Sequence, residues 1–110
     1  MTGVKPRVIR KFAAAAVGLF ALTACSPADL VAWQSKTGTT TTVTVKAKAG
    51  PDRGDSGNFA AQVVCEGEPF WRTGNAVSVN NGTPDADGWF YSQVYCYSNR
   101  AVVATGWNIW

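Results

Sequence analysis

From Thr39 to the end of the chain, apolar and polar residues alternate at period two, in runs divided by clusters of turn-forming residues. Side chains two apart share one face of a strand, so such runs can present a continuous apolar face only as strands. Thr41 to Lys48 places Val43, Val45 and Ala47 on one face, and the Gly- and Asp-rich cluster from Gly50 to Gly57 ends it. Asn58 to Cys65 places Phe59, Ala61, Val63 and Cys65 on one side, and a short run covers Ala76 to Asn80. Trp89 to Tyr97 and Ala101 to Trp110 follow, joined by a tight turn at Ser98-Asn99-Arg100, where Asn tolerates positive φ. No helical period and no internal repeat interrupts the pattern. About five strands at hairpin-like spacing predict an all-β domain, a small antiparallel β-sandwich or partly open barrel.

The opening residues obey different physics. Lys5, Arg7, Arg10 and Lys11 form a positive block, and Phe12 to Leu22 is an uncharged run of about eleven residues. A helix spanning the hydrocarbon core needs roughly twenty, so the run fits the apolar region of a secretory signal. Leu22-Thr23-Ala24-Cys25 then resembles the lipobox of bacterial lipoproteins, in which a branched apolar residue and two small ones precede a cysteine. The resemblance covers the leader alone. It implies that diacylglycerol is joined to the Cys25 thiol and that the chain is cut before it, leaving residues 1–24 as a removed signal peptide. A soluble secreted protein cut nearby is the alternative, although Leu22 suits ordinary signal cleavage poorly.

Removing residues 1–24 from 110 leaves 86, enough for one small domain. It also removes four of the ten basic residues, so six remain against seven acidic ones and the net charge falls near minus one. The basic character of the whole chain therefore belongs to the leader, and nucleic acid is not an expected partner. With Cys25 lipidated, Cys65 and Cys96 are left in an oxidising compartment and are expected to pair, two separate buried thiols being the alternative. Strand parity supports the pair, since Cys65 shares a face with Phe59 and Val63 and Cys96 with Phe90 and Val94.

Residues 25–38 show no sustained period and precede a threonine tract. They are expected to form a lipidated N-terminus and tether, with residues 39–110 as the domain. Trp33, within that tether, either dips into the lipid interface or folds back onto the domain.

The second face of the fourth strand carries the most functional information. Trp89, Tyr91, Tyr95 and Tyr97 fall at period two around Gln93, projecting four rings and an amide to one side. An even turn after Tyr97 would add Val102, Ala104, Gly106, Asn108 and Trp110 to that side, with small residues leaving the rings uncovered. Flat rings beside amides are what sugar-binding platforms use, because apolar sugar faces stack on rings while amides take hydroxyls. Packing beneath another layer, or a protein partner, would use the same residues.

Other motifs are weaker. Thr83-Pro84-Asp85-Ala86-Asp87-Gly88 resembles the first half of a calcium loop, but it has Thr in the first ligand position and Val94 where the closing Glu should stand, so a polar turn is expected and no metal or cofactor. Arg53-Gly54-Asp55-Ser56 contains the integrin-adhesion tripeptide, a short match within a Gly- and Asp-rich loop. The chain has no histidine, which excludes Ser-His-Asp and Cys-His catalysis. Glu66, Glu68, Asp85 and Asp87 lie in loops of a domain too small to enclose them in a cleft, and no catalytic residue is expected. The expected protein is an extracytoplasmic lipoprotein anchored to the cell membrane, or to the outer membrane of a two-membrane cell. It would act as a non-catalytic module for envelope glycan. The competing expectation is an interaction or inhibitory lipoprotein, of lytic-enzyme or phage-exclusion type, binding an extracytoplasmic protein through Gly50–Gly57 or Asn80–Gly88.

Overall fold

The structure, a computed structural model, describes residues 25–51 and 57–110. Leu22, Thr23 and Ala24 of the lipobox, the rest of the leader, and the Arg53-Gly54-Asp55-Ser56 motif lie outside the described residues. The chain forms β1 (Ser26–Thr37), β2 (Thr40–Gly50), β3 (Asn58–Cys65), β4 (Arg72–Thr73), β5 (Val77–Ser78), β6 (Phe90–Cys96) and β7 (Val102–Ile109), with no helix among the described residues. Sheet one has the order β1-β2-β6. In sheet two, β3 carries β7 on one edge and the short β4 and β5 in succession on the other. All pairings are antiparallel, and the two sheets do not close into a barrel.

The alternation read from the sequence decides which side chains meet. Val43, Val45 and Ala47 of β2 and Phe90, Val94 and Cys96 of β6 pack against Phe59, Ala61, Val63 and Cys65 of β3, forming one buried cluster between the sheets. Cys65 and Cys96 form a disulfide joining sheet two to sheet one, their Cα atoms 5.7 Å apart. Their sequence separation of 31 residues corresponds to a stabilisation of about 3–4 kcal/mol in the chain-entropy account.

One polar group stands inside this core. The Ser92 hydroxyl is fully buried, accepts the Ala61 N–H at 2.9 Å and donates to the Asn75 carbonyl at 2.6 Å. Ala61 falls between the stretches of β3 paired with β4 and with β5, where the ladder on that edge is interrupted. Its carbonyl accepts from Gly74 N–H at 2.8 Å, and a hydroxyl from the opposite sheet satisfies its N–H. Gly74 is needed where the connection passes under β6, because a Cβ there would run into the Gln93 carbonyl oxygen.

Three expectations need correction. Residues 26–37 are a twelve-residue edge strand paired with β2 from Ser26↔Gly50 to Thr37↔Thr40, rather than a tether. A register shift between Ala28 and Val31, with Asp29 at φ +56°, breaks their period and hides the strand from a parity count. The strands either side of Ser98-Asn99 are not a hairpin in one sheet. The turn is tight, with φ +57° and +58° at its centre, but β6 pairs with β2 while β7 takes the free edge of β3. Consequently Val102, Ala104, Gly106, Asn108 and Trp110 do not share a face with the β6 rings. They belong to sheet two, where Gly106 lies under the Trp71 ring.

Candidate functional site

Because β6 alternates strictly, burying Phe90, Ser92, Val94 and Cys96 turns Tyr91, Gln93 and Tyr95 outward, with Tyr97 just beyond the strand. No described element covers this face of sheet one. Tyr91, Tyr95 and Tyr97 are 40%, 36% and 50% exposed, values that separate an open surface from a second core. Trp89, at the entrance to the strand, is half-buried. β1 adds a ring that the aromatic run does not contain. Trp33 pairs with Thr44, which pairs with Gln93, so all three lie in one row across the sheet. Trp33 folds back onto the domain and meets Tyr91 edge-on, centroids 6.4 Å apart at 89°.

The half of the face near Tyr91 is internally engaged. Lys46 Nζ stands 4.1 Å from the Trp89 ring centre and 5.7 Å from that of Trp33, and Lys48 Nζ lies 4.8 Å from Trp89. Each such cation-ring contact is worth about 0.5–1 kcal/mol at an exposed site. The Tyr91 hydroxyl donates to Asp85 Oδ2 at 2.5 Å, and Asp85 Oδ1 accepts the backbone N–H groups of Asp87 and Trp89, each at 2.9 Å. The tyrosine hydrogen bond, followed by the backbone donors, holds the Asp85 carboxyl below the usual carboxylate range, and the same bond raises the Tyr91 hydroxyl. The acidic segment Thr83–Gly88 is thus a turn whose carboxylate is occupied in shaping the entry to β6. Among the described residues, no group of three or more His, Cys, Asp or Glu side chains is placed to hold a metal.

The other half is open. Tyr95 and Tyr97 stack with centroids 6.0 Å apart and planes at 29°. The Tyr95 hydroxyl donates to Gln93 Oε1 at 3.3 Å, and Gln93 Nε2 donates to Thr44 Oγ1 at 3.3 Å, which fixes the amide beside Tyr95. Beside them runs a groove of about 360 Å³, lined by Arg72, Thr73, Asn75, Gln93, Tyr95 and Tyr97 among others. Asn75 Oδ1 accepts the Gln93 N–H at 2.9 Å, so the groove floor is tied to the edge of β6. Arg72 closes one wall, its guanidinium 5.7 Å from the Tyr97 ring and bound to both Glu68 oxygens at 2.7 Å. That bond, reinforced by the charges of Arg72 and Arg100, lowers the Glu68 carboxyl.

Of the residues expected to bind, the structure brings Gln93, Tyr95 and Tyr97 together at the groove. Tyr91 and Trp89 lie in the engaged half. Trp33, Arg72 and Asn75 join the site from elements whose pairing the sequence pattern does not disclose. No protein-family model, curated protein or solved structure matches this chain.

Proposed function

We propose that this chain is a lipid-anchored, extracytoplasmic binding module that takes a glycan of the cell envelope on the outer face of sheet one and catalyses no reaction. One observation carries the reading: Tyr95 and Tyr97 stand exposed beside the Gln93 amide and a groove of about 360 Å³. Exposed stacked rings offer apolar area to the flat face of a sugar, and Gln93, Asn75 and Thr73 offer donors and acceptors to its hydroxyls. The test is retention of the detergent-solubilised protein on isolated cell-wall glycan. Tyr95→Ala and Tyr97→Ala should each abolish retention, and undiminished retention in both would refute the site. Anchoring is tested separately with Cys25→Ser, which should remove lipid labelling and leave the uncut precursor.

Phe70 and Trp71 favour a second reading, a protein partner. They are 53% and 49% exposed on the connection between β3 and β4, where Trp71 lies over Gly106 of β7. Adjacent exposed aromatics are common in protein interfaces. A Phe70→Ala, Trp71→Ala double variant that still holds glycan but no longer captures an envelope protein would establish that surface.

A further inference from the structure

The expected tether is absent from the described chain, and what replaces it is rigid. Cys25 N–H donates to Asn80 Oδ1 at 2.9 Å and Asn80 Nδ2 donates to the Cys25 carbonyl at 3.1 Å, so one side chain brackets both backbone groups of the residue. Gly57 leaves room for that bracket, since a Cβ there would strike the Asn80 amide. The next residue, Ser26, is buried and donates its hydroxyl to the Pro51 carbonyl at 2.7 Å. Pairing with β2 begins at that residue, and Cys25 and Leu30 pack against the core cluster. A free tether over residues 26–38 would let the domain wander by about 20 Å root-mean-square from its attachment. Here no slack lies between Cys25 and the sheet.

Strand direction places everything else. Ser26↔Gly50, Ala47↔Phe90 and Asn58↔Ser78 put Pro51, Gly57, the Asn80–Gly88 loop and Trp110 at the same end of the sandwich as Cys25. Thr37↔Thr40, Thr41↔Cys96 and the Glu66 N–H to Ala101 carbonyl bond put Gly38, Tyr97 and Glu66 at the other. We infer that the Cys25 end, with the Asn80–Gly88 loop and Trp110, is the surface this domain presents to the bilayer, and that the domain stands on the membrane in one orientation held by Asn80. Trp110 is 42% exposed there, and tryptophan is at home at the depth of lipid headgroups. The inference rests on acylation of Cys25. It leaves the Tyr95 and Tyr97 groove directed away from the membrane, where a glycan strand can reach it, and turns the Asn80–Gly88 loop toward lipid, where an incoming protein cannot.

The full-length lipoprotein in vesicles provides the test. With Cys25 acylated and Cys65 bonded to Cys96, an Asn81→Cys or Thr39→Cys variant carries a single free thiol for a fluorophore. Headgroup-linked nitroxide lipid should quench the label at position 81 several-fold more than the label at 39, and adding Asn80→Ala should shrink that contrast. Equal quenching in protein that floats with the vesicles overturns the orientation while leaving the anchor intact. An unchanged contrast in Asn80→Ala overturns the role of the bracket. Protein that does not float overturns the anchor and this surface with it.

Discussion

The two faces of β6 have opposite fates. Phe90, Ser92, Val94 and Cys96 meet sheet two and are buried, whereas Tyr91, Gln93, Tyr95 and Tyr97 touch only neighbours at their edges and stay exposed. Alternation determines which residues act together, but the layer opposite decides whether they stabilise or bind. The inner face should therefore answer to measurements of stability and the outer face to measurements of binding.

The sharpest way to break that contrast is to cut the staple. Cys96→Ala should lower unfolding free energy by about 2–5 kcal/mol, read by denaturant titration. A loss no larger than the roughly 0.5 kcal/mol typical of surface changes would mean that the inner face does not hold the sheets together. Ser92→Ala is the next largest, because it leaves the Ala61 N–H without a partner in the core. A cost of about 1–3 kcal/mol is expected, with faster hydrogen exchange at Ala61, and an unchanged exchange rate there would contradict the bridging role.

Outer-face substitutions should behave differently. Tyr95→Ala and Tyr97→Ala should each shift stability by about 0.5 kcal/mol or less while ligand retention disappears. A loss of about 3–5 kcal/mol, as for a buried ring, would erase the distinction between the faces. The smallest effect concerns pH. Asp85 is lowered in the folded protein, so its contribution is present above its unfolded value and fades as pH falls through the folded one. Tyr91 is raised, so its contribution is present below its unfolded value and fades as pH rises through the folded one. In an ultraviolet titration Tyr91 should ionise later than a free tyrosine. Asp85→Asn should bring it earlier, and no movement would separate Asp85 from the outer face altogether.

Much of this was legible because a strand buried on one side writes its inner face into every second residue. Val43, Val45, Phe59, Val63, Cys65, Phe90, Val94 and Cys96 all occupy the core that parity assigned them. β1 was illegible for the converse reason: most of it is exposed, so burial imposed no pattern on its residues, and the bulge at Asp29 shifts what pattern there was. The two-residue strands β4 and β5 are too short to show a period. The assignment of β7 to sheet two follows from pairing with β3 across some forty residues, a choice that a local turn at Ser98-Asn99 does not encode. The candidate site divides the same way, its β6 residues visible in one run while Trp33, Arg72 and Asn75 arrive through long-range pairing.

The bulge in β1 has a consequence for crowding. Among the described residues β1 pairs only with β2, so its other edge offers backbone donors and acceptors to any strand that approaches. A straight edge of twelve residues would invite neighbouring copies to grow into a shared sheet. Positive φ at Asp29 breaks the regular spacing between Ala28 and Val31, so the uninterrupted edge runs only from Val31 to Thr37. Near its end stands Lys36, the residue type that edge strands use against such growth. Straightening that edge should open an unbroken row of backbone donors and acceptors to pairing with a second copy.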